Sequence, residues 1–306
     1  MSVARKGRGA GIAAVAVFAI LWIGSVYWLF AAGGEDWFTA LLVMGVFGLA
    51  LSGLAWLLTR GADAPPSEVK RPVLESSAVL LYLALYALLF TGYAMSWARA
   101  ALPEGQQQEL LVMGVKLLAH VVLPALLLLA LGARIAPLLQ AGLRGRKFWR
   151  SLIVLGAIIL GLLCVISPSL RNIAETNASA VTLAWVAPVS FAWIAIEAGL
   201  NEEFLFRGVI QTRLTAWFNS AWAGVFLTSI LFGIAHAPGL FLRGAGADGS
   251  SGDVLQVIAY TIAVLAPMGL LFGLIYARTK SLLLVVLLHA LVDVLPNMDE
   301  FIRIWT

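Results

Sequence analysis

Long apolar stretches separated by short polar segments repeat along the whole 306-residue chain. Each stretch has about the 20 residues that a helix needs to cross the hydrocarbon core of a bilayer. The pattern predicts about nine spans, near residues 11–32, 37–58, 77–98, 110–133, 151–167, 182–216, 221–238, 255–277 and 281–296. The alternation of apolar and polar residues that is typical of strands is not apparent. We therefore predict an all-α, polytopic transmembrane bundle of about eight or nine helices.

The composition agrees with a membrane protein and excludes several other classes. Hydrophobic residues make up 61% of the chain and charged residues 12%, and the mean hydropathy is +0.96. A soluble protein of this length cannot cover so much apolar surface. The formal net charge of +4 is better explained by basic cytoplasmic loops than by binding to nucleic acid. The single cysteine, Cys164, excludes an internal disulfide and a multi-cysteine metal site.

Basic residues are concentrated in alternate loops, which predicts the orientation in the membrane. Lysine and arginine residues precede the first stretch and recur in loops 59–75 and 134–150, whereas the intervening loops have few of them. Because loops rich in Lys and Arg stay in the cytoplasm, the N-terminus is predicted to be cytoplasmic. We expect an integral multi-pass protein of the plasma membrane or an inner membrane, with its C-terminus on the other side.

Ionisable side chains interrupt the apolar spans in three short motifs within the last third of the chain. The motifs are Glu202-Glu203-x-x-x-Arg207, Phe232-x-x-x-His236 and His289-x-x-x-Asp293. Two of the three histidines of the chain lie in these motifs. Ionisable residues inside a membrane are energetically costly and usually mark a functional site. The motifs therefore predict an intramembrane active site.

The spacing of the motifs allows them to meet at one depth. If 182–216 is one helix, Glu202 lies roughly 21 Å above its cytoplasmic end, at 1.5 Å per residue. A turn near Asn219 would place His236 roughly 25 Å along the next helix. His289 would lie roughly 15 Å from the basic loop at 278–280. We therefore expect the three motifs to converge within the membrane, toward its cytoplasmic half.

Helix geometry also distinguishes the two adjacent glutamates. Side chains of Glu202 and Glu203 point about 100° apart on a helix, so they cannot both face one point. Glu203 can pair with Arg207 four residues later, which leaves Glu202 to face the histidines as a general base. Asp293 is placed to orient His289 or to share its site. The alternative is a set of structural ion pairs that hold the helices together.

These motifs, in this order, resemble those of the CPBP family, which includes CAAX prenyl proteases and bacteriocin-processing or immunity enzymes with the Abi domain. The segment from Gly269 to Leu282 is similar to the link that leads into the third motif of that family. The resemblance covers 182–296, which we predict to be the catalytic core formed by the last four helices. Residues 1–181 are predicted to be an N-terminal region of about five spans without a family match, and 297–306 a C-terminal tail.

The resemblance implies an intramembrane endopeptidase, a hydrolase that cuts membrane-associated peptides or proteins, with lipidated substrates included. It implies that Glu202 and His236 activate water, and that His289 and Asp293 stabilise the oxyanion or position the water. The supporting residues are Glu203 and Arg207. The bilayer and the substrate are the expected partners, and nucleic acid is not.

The third motif of the family ends in asparagine or aspartate, and in this chain it ends in Asp293. An asparagine amide can donate a hydrogen bond to an oxyanion, whereas an ionised aspartate cannot. Asp293 would then be protonated, orient His289, or help to hold a metal. A zinc ion could be held by His236, His289 and Glu202. We favour a glutamic mechanism without a metal or cofactor, and a metalloprotease stays open as the alternative.

A non-catalytic role is the competing hypothesis. A proton-coupled transporter, a scaffold or an immunity protein could also keep glutamate and histidine at mid-depth. Transporters often contain internal repeats and helices broken by Gly or Pro in both halves, and neither is evident in this sequence. The substitution Glu202→Gln would distinguish the two hypotheses, because a scaffold should tolerate it.

Overall fold

A computed structural model describes residues 3–33, 36–62, 64, 68–139, 143–243 and 251–306, and in these residues it contains helices and no strand. The predicted all-α fold is confirmed. With contiguous helical segments taken together, the helices are α1 Val3–Ala31, α2 Asp36–Leu58, α3 Pro72–Ala101, α4 Gln106–Ala130, α5 Gly145–Ile166, α6 Ser169–Glu175, α7 Ala180–Phe218, α8 Ala221–Arg243, α9 Val254–Thr279, α10 Leu282–Asp293 and α11 Met298–Trp305. A short 3-10 turn at Ala136–Leu139 links α4 and α5.

The described residues include eight helices that are long and apolar enough to cross a membrane, namely α1 to α5 and α7 to α9. The predicted ninth span at 281–296 is wrong as a single helix. Helix α10 has only 12 residues, fewer than the ~20 that a perpendicular crossing needs. It is followed by α11 at a bend of 82°, and only the two together reach the length of a ninth span. The predicted tail is therefore largely helical.

Helix α7 carries the first motif and is a continuous rod of 39 residues. It begins after Ser179, whose hydroxyl accepts a hydrogen bond from the backbone N–H of Thr182 at 3.0 Å, as a good N-cap does. It ends at Asn219, whose φ of 49° lies in the left-handed region that asparagine tolerates. At 1.5 Å per residue α7 is about 58 Å long, so it extends beyond a hydrocarbon core of ~30 Å. The predicted long helix and its turn at Asn219 are confirmed.

The first motif lies where α7 changes its winding. Ala195–Leu200 and Phe204–Gln211 are π-helical, and between them Asn201–Glu203 forms a short α-helical turn. Farther along, the Thr212 hydroxyl donates to the Arg207 carbonyl, five residues earlier, at 3.1 Å. Because π-helical turns rotate the following side chains relative to an α-helix, they often occur at functional sites.

Two glycines bring the motif-bearing helices very close together. A Cβ atom at Gly199 of α7 would lie 2.6 Å from the carbonyl oxygen of Val286 in α10. A Cβ atom at Gly233 of α8 would lie 2.5 Å from the carbonyl oxygen of Thr261 in α9. Small residues allow this backbone contact, which is how many membrane helices associate. The glycines therefore hold α10 against α7, and α8 against α9, at the level of the motifs.

Candidate active site

The two glutamates of the first motif lie in different environments. The side chain of Glu203 is fully buried, whereas that of Glu202 is 20% exposed. This difference follows from their adjacent positions on one helical turn, which direct them to different sides. Only Glu202 is open to water and substrate.

Arg207 and Glu203 form an ion pair in the interior of the bundle. Arg207 Nε lies 3.0 Å from Glu203 Oε2, and both side chains are completely buried. The N–H is not directed at the oxygen, so the contact is primarily charge attraction. The guanidinium lies over the ring of Phe232 at 4.8 Å and near that of Phe272 at 5.9 Å, which adds cation–π stabilisation. The predicted pair of Glu203 with Arg207 is present.

His289 is held between two carboxylates. Its Nδ1 lies 2.7 Å from Oε1 of Glu203, and its Nε2 lies 3.1 Å from Oδ2 of Asp293. The imidazole stacks on the ring of Phe272, with 5.0 Å between centroids and 5° between planes. Asp293 is the last residue of α10, and its carbonyl accepts from the amide of Asn297 at 2.8 Å. These contacts fix both the plane and the position of the imidazole.

Glu202 faces both histidines across a gap. Its Oε2 lies 3.6 Å from Nε2 of His236 and 3.8 Å from Nε2 of His289, distances that are too long for direct hydrogen bonds. Nδ1 of His236 lies 2.7 Å from the carbonyl of Phe232. Because a carbonyl only accepts, Nδ1 is the protonated nitrogen. In a neutral His236, Nε2 is then an acceptor that faces the gap.

The structure brings all six predicted site residues together, and their proposed roles stay predictions. Glu202, His236, His289 and Asp293 surround one point, and Glu203 with Arg207 lies behind them. The predictions did not include the contact of Glu203 with His289, which connects the buried ion pair to the third motif. No sequence spacing could have indicated that contact, since 86 residues separate its partners.

A cavity of about 450 Å³ opens in front of Glu202 and His236. Its walls come from the motif helices and from α3, which contributes residues including Tyr86, Phe90 and Arg99. Sequence reasoning missed this contribution, because α3 contains no motif and Tyr86 lies in an ordinary apolar stretch. The N-terminal region therefore forms part of the site.

A second and more polar cavity, of about 590 Å³, reaches Asp293 from another direction. Lys116 and Glu197 line this cavity and form an ion pair with each other. The side chain of Asp293 is 29% exposed. The site therefore borders one cavity at Glu202 and another at Asp293.

The described residues contain no group of three or more His, Cys, Asp or Glu side chains arranged to hold a metal ion. The nearest candidates for zinc ligands are Glu202, His236 and His289. Nε2 of His236 and Nε2 of His289 lie 3.6 and 3.8 Å from the same oxygen of Glu202, and Nε2 of His289 also contacts Asp293. The predicted zinc set stays a prediction, and the mechanism proposed for this site requires no metal.

Comparison with known proteins found a family model that matches the part of the chain that carries the three motifs. Residues 183–295 match the family model described as type II CAAX prenyl endopeptidase Rce1-like. This part of the chain is similar to an Rce1-like domain. The match agrees with the resemblance to CPBP intramembrane proteases, and it supports an intramembrane endopeptidase in general. The apolar helices indicate a multi-pass membrane protein, and the matched family implies a membrane-associated protein substrate. No curated protein and no solved structure matches the chain.

Proposed function

We propose that this protein is a glutamic intramembrane endopeptidase in which Glu202 activates water against a peptide carbonyl. The observation that carries the proposal is the position of Glu202, a partly exposed carboxylate beside a cavity and opposite Nε2 of His236 at 3.6 Å. The other carboxylate of the motif is buried and paired. Glu202 is therefore the acidic residue of this motif that substrate can reach.

The gap between Glu202 and His236 suits a water molecule. Two acceptors 3.6 Å apart leave room for one water at about 2.8 Å from each, the ordinary hydrogen-bond distance. Such a water would donate one hydrogen to Glu202 and the other to His236. Its lone pair would then point away from both residues, toward the cavity, where a peptide carbonyl can lie.

The chemical step uses ordinary general acid–base catalysis. Oxygen of the water bonds to the carbonyl carbon while one of its protons passes to Glu202. The resulting tetrahedral intermediate collapses as the protonated Glu202 gives that proton to the amide nitrogen. The carbon–nitrogen bond breaks, and the products are a carboxylic acid and an amine.

His289 is the proposed donor to the oxyanion. Its Nδ1–H is directed at Glu203, and its Nε2 lies 3.1 Å from Asp293 and 3.8 Å from Glu202. In a His289 with both ring nitrogens protonated, the Nε2–H that faces Asp293 also lies at the edge of the gap, where negative charge develops on the substrate oxygen, and the two acceptors would share it. In this arrangement Asp293 orients His289 and need not itself donate a hydrogen bond. The aspartate in the third motif is then compatible with catalysis.

We also propose that the substrate carries a hydrocarbon chain near the cleaved bond. An apolar cavity of about 410 Å³ lies between α3, α8 and α9, and it shares Ala235 with the cavity in front of Glu202. Almost all of its lining is aliphatic, with Phe241 at one wall. A lipid chain would bury its apolar surface there at a gain of ~25 cal/mol per Å². The word prenyl in the name of the matched family agrees with such a substrate.

For the orientation, we propose that the N-terminus is cytoplasmic, since the basic loops alternate with loops poor in Lys and Arg. Reporter fusions at the two termini test this proposal. A cytoplasmic reporter at the N-terminus and a non-cytoplasmic reporter after Thr306 are expected, and the reverse result would contradict it.

The decisive experiment compares membranes from cells that carry the wild-type protein with membranes that carry Glu202→Gln. Mass-spectrometric mapping of peptide termini is expected to show new termini only with the wild type. Glu175→Gln is the matched control, because Glu175 is 69% exposed and lies outside the site. Identical termini in all three samples, at equal protein abundance, would favour a scaffold or transporter over a protease.

A chelator series tests the proposal against a zinc mechanism. Purified protein that has been treated with 1,10-phenanthroline is expected to keep its activity on the peptides found by terminus mapping. Loss of activity that zinc restores would contradict the glutamic mechanism and support a metalloprotease.

A further inference from the structure

The cavity in front of Glu202 has a polar group on its N-terminal wall that none of the three motifs includes. Tyr86, on α3, lines this cavity together with Glu202 and His236. Its hydroxyl oxygen lies 2.8 Å from Nε2 of His120, on α4. Neither residue lies within 183–295, the range that matches the family model.

Tyr86 is held rigidly in this position. Its ring stacks on Phe90, with 4.9 Å between centroids, and His120 meets both rings edge-on at 5.1 Å. His120 is only 3% exposed, and Tyr86 is 8% exposed. Nδ1 of His120 lies 2.8 Å from the carbonyl of Lys116, which anchors the imidazole to the backbone of α4.

The hydrogen bonds determine what Tyr86 can offer to the cavity. A carbonyl only accepts, so Nδ1 of His120 donates to Lys116 and carries the proton. In a neutral imidazole Nε2 is then an acceptor, and the Tyr86 hydroxyl donates a hydrogen bond to it. The phenolic oxygen keeps its lone pairs, so toward a ligand in the cavity this hydroxyl can act only as an acceptor.

A bound peptide supplies the matching donor. An extended peptide presents backbone N–H groups that are costly to bury without a partner. At the gap, Glu202 and His236 hold the proposed water and His289 is the proposed donor, while Thr91, Ser96 and Tyr260 also line the cavity. We infer that Tyr86, fixed by His120, accepts a hydrogen bond from a backbone N–H of the substrate beside the scissile bond. Tyr86 is thus a substrate-binding residue contributed by the N-terminal region.

This inference rests on the proposed function, and it is tested with a peptide whose cleavage depends on Glu202. The first probe is a quenched-fluorescent peptide that ends in a farnesylated Cys-aliphatic-aliphatic-X sequence, presented in detergent micelles. Peptides identified by terminus mapping are used next. A hydrogen bond present in both the bound substrate and the transition state affects KM and leaves kcat unchanged. Tyr86→Phe is therefore expected to raise KM roughly three- to tenfold, or about 0.7–1.4 kcal/mol at 1.4 kcal/mol per tenfold, with kcat nearly unchanged.

Tyr82→Phe is the matched control. Tyr82 lies one turn earlier on α3, and its hydroxyl donates to the carbonyl of Ala119, but it does not line the cavity in front of Glu202. Its substitution likewise removes a hydrogen bond between α3 and α4, so it shows the effect of losing that contact alone. We expect KM to stay at the wild-type value.

A second readout compares substrates within each enzyme, so a general loss of activity in the variant does not affect it. In substrates in which one backbone N–H at a time is replaced by an ester oxygen, the wild-type enzyme should lose three- to tenfold in kcat/KM at one position. The Tyr86→Phe enzyme should not respond to the ester at that position. Equal sensitivity of both enzymes at every position, or a KM unaffected by Tyr86→Phe, would overturn the inference while leaving the protease intact. If Glu202→Gln leaves all cleavage unchanged, the proposed function itself fails, and this inference fails with it.

Discussion

The buried ion pair of Glu203 and Arg207 leads to a quantitative prediction about stability. Both side chains have 0% exposure, and their atoms approach to 3.0 Å. The substitution Glu203→Gln would leave the guanidinium buried without a counter-charge, since its nitrogens have no hydrogen-bond partner among the described residues. Removal of one partner from a buried pair costs about 3–5 kcal/mol. The free energy of unfolding should fall by that amount, which lowers the ratio of folded to unfolded protein at least about 100-fold.

An exposed pair of the same chemistry supplies the control. Arg171 and Glu175 are also four residues apart, with 3.6 Å between them, and their side chains are 77% and 69% exposed. Exposed pairs at this spacing contribute about 0.5 kcal/mol or less, so Glu175→Gln should change stability by no more than that. Unfolding can be measured by titrating dodecyl sulfate into mixed micelles and recording the fluorescence of the 11 tryptophans.

A double variant tests whether the unpaired buried charge causes this loss of stability. Glu203→Gln with Arg207→Met removes the stranded charge, and it should recover most of the lost stability, because an apolar replacement of a buried pair is often tolerated. Activity should not recover, since Nδ1 of His289 no longer faces a charged partner. A single variant within about 1 kcal/mol of the wild type, or a double variant no more stable than the single one, would refute this account.

Three further predictions concern helix contact, the third motif and pH. Gly199→Ala should lower activity at least tenfold, because its Cβ would lie 2.6 Å from the carbonyl of Val286. Gly161→Ala meets no atom of the described residues within 4 Å and should be neutral in the same cleavage assay. Asp293→Asn should keep at least a tenth of the kcat, since an amide oxygen can still accept from the histidine of the third motif, but Asp293→Leu should lose more than 100-fold. Outside the spans, burial and a neighbouring arginine lower the pKa of Lys280 from 10.5 to about 8. Because the unfolded chain then binds more protons, the free energy of unfolding should rise between pH 8 and 10.5, and Lys280→Asn should remove that rise in unfolding titrations.

The membrane spans could be predicted because the bilayer imposes a length on every crossing helix. Hydropathy alone gave eight of them, and it also gave the long helix α7 with its turn at Asn219. The failure at 281–296 has a physical cause that hydropathy does not record. Pro296 lacks a backbone N–H and disfavours helix in the residue before it, so α10 stops at Asp293 and the chain bends by 82° before α11. The position of Pro296 was the sequence signal that could have predicted this break.

The pairing within each motif was predictable, but the arrangement between motifs was not. Residues four apart on a helix lie on one face, which is why Glu203 with Arg207 and His289 with Asp293 are close in the structure. The contact of Glu203 with His289 depends on the distance and rotation between α7 and α10. Those are fixed by the contact of Gly199 with Val286 and by the π-helical turns around the motif, and no short pattern encodes them.

Some residues of the site are fixed by direct contacts with one another, whereas Glu202 is not. Arg207, Glu203, His289 and Asp293 form one continuous series of contacts, which begins in the interior and ends beside a cavity. Among the described residues, Glu202 has no such direct partner within hydrogen-bonding distance, and it lies 3.6 Å or more from both histidines. A preorganised donor can stabilise developing charge only if it does not have to move, whereas a base must exchange protons with water and substrate. Burial of one glutamate and exposure of its neighbour meet both requirements, so two adjacent residues of the same type perform different tasks.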